Sequence, residues 1–251
     1  MLIEHQGKLP KIHETAYVAP TAVICGNVTV GAQCRIMFGA VIVAEGGKAT
    51  LGDHCIVMEN AVVRASSRHP IKIGNHVLIG PRAYLTGCTV EDDVFLATGS
   101  TIFNGAHIGA RSEVRINGTV HLNSHLAPDS TMPIGWVAVG DPATLHPPSE
   151  HDEIWSVHGP IDVPGAVFGL SRPGPGETNM PELTRRYAKG LSSHRDDRII
   201  YGESDRLRRR HSHGKPGLKL RISLPTDLND ALKKGLLKHL PEISEFSEDA
   251  P

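Results

Sequence analysis

The residues of this chain best suited to chemistry form a cationic group between positions 64 and 82. The cationic residues are Arg64, Arg68, His69 and Arg82, and two carboxylates, Glu45 and Glu59, precede them in the sequence. Guanidinium groups bind carboxylates and phosphates through paired, charge-assisted hydrogen bonds. The pattern therefore indicates a site for a small anion. The same residues allow a second interpretation, an ion pair of Arg64 with Glu59 (first choice) or Glu45 (second choice) at an interface, where it holds subunits together without chemistry.

The elements that position these side chains follow a six-residue repeat. Aliphatic residues recur at Ile12, Val18, Ile24, Val30, Ile36 and Ile42, and after short insertions the series continues to Met132. A period of six fits neither a helix nor a simple strand. It fits short flat strands that turn by about 120° at each corner, so that three hexads close one triangular coil. We therefore predict an all-β solenoid, a left-handed parallel β-helix, over residues 1–146, and an irregular, partly helical extension over residues 147–251.

Counting hexads places the candidate residues in vertical columns. One column consists of Val43, Arg64, Thr86, Phe103 and His121, and the next consists of Phe38, Glu59, Pro81 and Thr98. Thr86 thereby joins the candidate anion site as the neighbour of Arg64. His54 and His76 occupy equivalent corner positions, with Asp93 in the following coil. Because corner side chains are usually solvated, we predict no metal site there, and the sequence indicates no cofactor.

Composition excludes several classes of protein. A formal net charge of -1 gives no global field that would attract nucleic acid. The sequence shows no signal-peptide pattern and no long apolar run, so we expect a cytoplasmic protein without a membrane partner. The four cysteines lie scattered, and we expect buried thiols rather than disulfides or zinc ligands.

The extension is predicted to contain two short helices beside an irregular segment. Residues 149–180 are rich in glycine and proline, which predicts an irregular wrap. Residues 181–191 and 226–240 show helical spacing of their apolar residues. Residues 201–221 carry five arginines and two lysines against two acidic residues. Because aromatic residues are not interleaved with these cations, a solvated surface is expected there rather than a nucleic-acid site.

The sequences of several coils resemble those of one family. Residues 26–31 (GNVTVG), residues 84–90 (YLTGCTV) with their shortened hexad, and the closing residues 140–143 (GDPA) are similar to the γ-class carbonic anhydrases among the hexapeptide-repeat proteins. The resemblance covers roughly residues 8–146, and residues after 150 match nothing in that family.

The resemblance implies a homotrimer whose sites lie between subunits. In that family three histidines, two from one chain and one from its neighbour, hold a zinc ion that supplies hydroxide to carbon dioxide. The matching positions here are Arg64, Thr86 and Pro81. Arginine is permanently protonated and proline has no side-chain donor atom, so these residues cannot rebuild a zinc site. We expect a trimer that has lost this zinc site, does not hydrate carbon dioxide, and binds a small anion in the interface cleft around Arg64.

Two alternatives remain open from the sequence. Many hexapeptide-repeat proteins are CoA-dependent acyltransferases that use a loop histidine as general base, and His69 lies in the insertion of residues 65–72. A single loop histidine is a weak indication of such a base. The other alternative is a trimeric scaffold without catalytic activity.

Overall fold

The computed structural model describes residues 1–161, 165 and 169–200. The chain divides into two compact units, residues 1–203 and residues 204–251. The predicted helix of residues 226–240 and the basic run of residues 201–221 lie outside the described residues. The boundary predicted at residue 146 stays a prediction.

The strands between Leu2 and Val139 form a parallel β-helix with three faces. On the first face lie β1 (Leu2–Glu4), the first halves of β4 (Val23–Val30) and β6 (Val41–Leu51), β8 (Val62–Ser66), β11 (Tyr84–Thr86), β14 (Thr101–Ile102), β17 (Thr119–Val120) and β20 (Val137–Val139). On the second lie β2 (Lys11–Ile12), the second halves of β4 and β6, β9 (Ile71–Ile73), β12 (Thr89–Val90), β15 (His107–Ile108) and β18 (His125–Leu126). On the third lie β3 (Tyr17–Val18), β5 (Arg35–Ile36), β7 (Ile56–Val57), β10 (Leu78–Ile79), β13 (Phe95–Leu96), β16 (Glu113–Val114) and β19 (Thr131–Met132).

The core is built from the residues that set the repeat. On the first face Ile42, Val63 and Leu85 pair in register from coil to coil, and all three are fully buried. Each coil thus stacks one aliphatic side chain on the next, so few aromatic residues are needed to fill the interior. The predicted left-handed β-helix is confirmed.

The corners turn through residues in the left-handed backbone region. His54 (φ 58), His76 (φ 54) and Asp93 (φ 60) occupy one such corner. The two imidazole rings stack with centroids 4.8 Å apart and nearly parallel planes. The predicted corner column is therefore present, and its geometry is that of exposed stacking at a turn.

The described part of the extension contains more helix than predicted. A helix, α1 (His151–His158), lies in the stretch predicted to be irregular, which corrects that prediction. Acidic residues in its first turn suit the helix dipole, a signal masked by the glycine and proline that follow. The helix predicted at residues 181–191 is confirmed as α2 (Met180–Leu191).

The extension returns to the start of the β-helix. After α2 a short 3-10 helix (Ser192–Asp196) leads into β22 (Arg198–Ile200), which pairs antiparallel with β1. The short strand β21 (Thr144–His146) pairs antiparallel with β20 and closes the other end. Among the described residues, no helix is both long and apolar enough to span a bilayer.

Candidate functional site

A cleft of about 610 Å³ lies between the first face of the β-helix and α2. Its floor comes from the column that contains Arg64 and Thr86, which are paired on neighbouring rungs of β8 and β11. One wall is the turn of residues 66–69, and another comes from Leu183 and Tyr187 of α2. The predicted column and a helix from the extension therefore meet at one place.

Arg64 makes two close contacts at the cleft. Its Nη2 donates to Glu45 Oε2 at 2.6 Å and to the Tyr187 hydroxyl at 2.6 Å. The guanidinium carbon also lies 5.9 Å from the centre of the Tyr187 ring. The side chains of Arg64 and Glu45 are 27% and 21% exposed, so this ion pair is only partly withdrawn from solvent.

Of the two carboxylates predicted as partners, the chain brings Glu45 and not Glu59 to Arg64. Register explains the choice, because Val43 pairs with Arg64 and Glu45 with Ser66 on adjacent strands of one sheet. Glu59 lies instead on the corner before β8, where its carbonyl accepts the backbone N–H of Arg82 at 3.0 Å. Within one chain Arg64 therefore pairs with the second choice, and a pairing with Glu59 across a subunit interface stays a prediction.

The predicted site residues fall into two groups. Those that line the cleft are Glu45, Arg64, Arg68, His69 and Thr86. Glu59 and Arg82 do not line it. His69 is held there by a tight turn, since its backbone N–H donates to the Ser66 carbonyl at 3.2 Å and its carbonyl accepts from Ser66 N–H at 3.0 Å.

Residues of the extension contribute to the cleft and were missed from the sequence. Arg186, Tyr187 and His158 line it. Arg186 donates to Glu182 Oε1 at 2.6 Å, one turn earlier on α2. The helical spacing predicted α2, but the hexad pattern carries no information on where a helix outside the repeat docks.

The cleft combines positive charge with an apolar wall. Three arginines and one carboxylate line it, and the carboxylate is the Glu45 that already contacts Arg64. The remaining wall is largely aromatic and aliphatic, contributed by Tyr84, Phe103, Leu122, Leu170 and Leu183. Such a surface suits an organic anion with an apolar part.

Two histidines form a neutral pair at one end of the cleft. The rings of His121 and His158 lie 3.8 Å apart. Burial, together with the nearby His158, lowers the pKa of His121 to about 4, and its Nδ1 accepts the backbone N–H of Leu122 at 2.8 Å. Burial, and then the charge of Arg172, also lower the pKa of His158. Both imidazoles are therefore neutral near pH 7, and because Nδ1 of His121 accepts the Leu122 N–H, its Nε2 carries the proton and can donate a hydrogen bond.

Pro81 belongs to a different surface from Arg64 and Thr86. It lies on the corner between the third and first faces, in a depression that Met58, Phe95, Ile116 and Ile134 also line. Backbone hydrogen bonds run along this corner from coil to coil, including Gly99 N–H to the Pro81 carbonyl at 2.9 Å. The second predicted column is therefore present as an exposed corner.

Comparison with known proteins relates the repeat region to carbonic anhydrases. No family model matches the chain. Gamma carbonic anhydrase 1, mitochondrial, of Arabidopsis thaliana is 31% identical over 142 residues, which is 54% of this chain and 50% of that protein. A carbonic anhydrase of Geobacillus kaustophilus is 28% identical over 109 residues, covering 43% of this chain and 60% of that protein. The chain thus spans about half the length of the Arabidopsis relatives that it matches.

The chain is also similar to chains of known structure. A hexapeptide transferase family protein from Anaplasma phagocytophilum is 25% identical, with a TM-score of 0.43, over 63% of this chain and 90% of that chain. By its hexad register the chain is a hexapeptide-repeat β-helix, and the repeat region is similar in sequence to γ-class carbonic anhydrases.

Proposed function

We propose that the cleft binds a small organic anion, a carboxylate or phosphate with an apolar part, through Arg64. The observation that carries this proposal is the excess of cationic side chains in the cleft, three arginines against one carboxylate, beside an aromatic and aliphatic wall. An incoming carboxylate would compete with Glu45 for the guanidinium of Arg64. Arg68 would compensate the added negative charge, since Arg186 is already paired with Glu182.

The proposal includes the absence of γ-class zinc chemistry. Arg64, Thr86 and Pro81 stand at the matching positions, and their side chains offer neither a neutral imidazole nor a thiolate or carboxylate. These residues do not fit the zinc ion of the related enzymes. Hydration of carbon dioxide at this place is therefore not expected.

Assembly as a cytoplasmic homotrimer is part of the same proposal. It is supported by the corner that contains Pro81, where Phe38, Phe95, Ile116 and Ile134 are large apolar side chains exposed on one chain. A contiguous apolar corner of this kind is typical of a protein interface. A second copy that covers it would remove these side chains from water.

A thermal-shift panel tests the proposed ligand class. The probes are benzoate, acetate, inorganic phosphate and acetyl-CoA, with benzyl alcohol as the neutral match to benzoate. Binding at a hundred times the dissociation constant stabilises a protein by about 2.7 kcal/mol, so a clear rise in melting temperature is expected with benzoate. Arg64→Ala should abolish the rise. Arg82→Ala, which removes an exposed arginine outside the cleft, should preserve it.

The same panel separates the alternatives. A rise in melting temperature with acetyl-CoA that is lost in His69→Ala would support the acyltransferase alternative and overturn the proposal of an organic-anion site. No response to any anion, with an intact trimer, would favour the scaffold. An equal rise with benzoate and benzyl alcohol would show that the apolar wall, and not Arg64, selects the ligand.

A further inference from the structure

A second cluster of chemically capable side chains lies below the cleft, at the start of the β-helix. Its members are His5, Cys25, His194 and Asp197, and one ligand atom from each lies within 4.8 Å of all the others. His5 follows β1, and Cys25 lies in β4. His194 and Asp197 come from the 3-10 helix and its C-cap.

Two of the four residues are withdrawn from solvent. His5 is 2% exposed and Cys25 is 3% exposed, because the segment that carries His194 and Asp197 covers them. Asp197 accepts from both imidazoles, at 2.6 Å from His5 Nδ1 and 2.7 Å from His194 Nδ1. The Sγ atom of Cys25 lies 3.8 Å from Asp197 Oδ2.

We propose that these four residues bind one zinc ion. Imidazole nitrogen, thiolate sulfur and carboxylate oxygen are the ligands that zinc takes in proteins, and four protein ligands are typical of a closed structural site. Bond lengths of about 2.0 to 2.3 Å place neighbouring ligands of a tetrahedron about 3.3 to 3.8 Å apart. The distances between ligand atoms in the cluster run from 2.6 Å to at most 4.8 Å, a range that includes these values. Binding zinc would therefore require the side chains to move by less than about 1 Å.

A second carboxylate orients one of the ligands. His194 Nε2 lies 3.4 Å from Glu45 Oε1, on the opposite side of the ring from Nδ1. Zinc-bound histidines usually donate their other ring N–H to a carboxylate, which fixes the tautomer and leaves one nitrogen for the metal. Glu45 thus faces the zinc cluster with one oxygen and Arg64 with the other.

His5 supplies an independent observation. Its Nε2 is buried and has no hydrogen-bond partner among the described residues. A buried polar atom without a partner costs about 1 to 3 kcal/mol. His5 makes its hydrogen bond to Asp197 through Nδ1, which leaves Nε2 unpartnered, so a bond from zinc to Nε2 would offset that cost.

The zinc ion would join the two ends of the described chain. His5 and Cys25 belong to the first coils, whereas His194 and Asp197 lead directly into β22, which pairs with β1. With no open position for water, its role is structural, to hold the extension over the first face. None of the four proposed zinc ligands lines the cleft, so the two proposals can fail separately, although Glu45 contacts both Arg64 and His194.

Metal titration of the full chain tests the site. After chelation and buffer exchange, zinc content measured by plasma mass spectrometry should return to one ion per chain on adding one equivalent of Zn²⁺. Cys25→Ser and Asp197→Asn should each weaken zinc binding at least tenfold, and Glu45→Gln should weaken it about 10- to 100-fold through His194. Cys88→Ala removes a buried thiol outside the cluster and should bind zinc as the unaltered chain does.

Cobalt substitution keeps the test decisive if a variant fails to fold. The unaltered chain with Co²⁺ should give the intense visible spectrum of tetrahedral cobalt and a thiolate-to-metal charge-transfer band. Hydrogen exchange in residues 192–200 should slow on adding zinc. Zinc binding that is equal in Cys25→Ser, or a cobalt spectrum without a thiolate band, would overturn the proposal.

Discussion

Replacing Arg64 by alanine tests how the extension is held against the β-helix. The change removes an ion pair to Glu45, a hydrogen bond to the Tyr187 hydroxyl and a ring contact with Tyr187. An exposed ion pair contributes about 0 to 1 kcal/mol, a hydrogen bond about 0.5 to 1.5 kcal/mol, and an exposed cation–π contact about 0.5 to 1 kcal/mol. These contributions overlap because one guanidinium makes all three.

We therefore expect Arg64→Ala to lower the free energy of unfolding by about 1 to 2 kcal/mol. Removing one partner of a fully buried ion pair would cost about 3 to 5 kcal/mol, but here the side chains are 27% and 21% exposed. Glu45 also keeps its contact with His194 at 3.4 Å, so its charge is not left isolated.

Urea unfolding at constant m value measures this change. A double-mutant cycle with Tyr187→Phe isolates the contact between β8 and α2, and a coupling of about 0.5 to 1 kcal/mol is expected for such a neighbouring pair. Coupling near zero would mean that α2 does not dock on Arg64 in solution. A loss above about 4 kcal/mol would mean that the pair is buried, as in an interface between subunits.

Three further outcomes follow from the structure. The pKa of His121 is lowered to about 4, so the unfolded state binds a proton that the folded state does not. Stability should therefore fall by up to about 1 to 2 kcal/mol as the pH drops from about 6.5 to about 4, with a smaller fall in His121→Gln in parallel urea titrations. Ile134→Asp, on the exposed corner, should convert a trimer to monomers in light scattering without lowering the β-sheet signal; an unchanged trimer would exclude this corner as the interface. Glu4→Gln removes an ion pair to Arg198 at 2.6 Å and should speed hydrogen exchange in β22 while leaving β8 unchanged.

The β-helix could be predicted from sequence because its determinants are local and repeated. Val63 and Leu85 stack because the chain returns to the same face after each coil, and the sequence spacing fixes that return. The same counting predicted the rung that joins Arg64 and Thr86. It also separated the corner of Pro81 from the face of Arg64.

Contacts between the repeat and the extension could not be predicted. Tyr187 reaches Arg64 across 123 positions, and Asp197 reaches His5 across 192. No period links such residues, because a helix or turn outside the repeat docks through its side chains and not through a register. Glu45 illustrates the same limit, since the bend in β6 that aims it at Arg64 depends on a three-residue insertion whose shape the hexads do not specify.

The most direct test of the anion site is a crystal structure of the protein soaked with benzoate. The account predicts an ordered benzoate in the cleft, with its carboxylate within hydrogen-bond distance of the Arg64 guanidinium and its ring against Phe103 and Leu183. A cleft without benzoate at saturating concentration, with the bond from Arg64 to Glu45 intact, would contradict it.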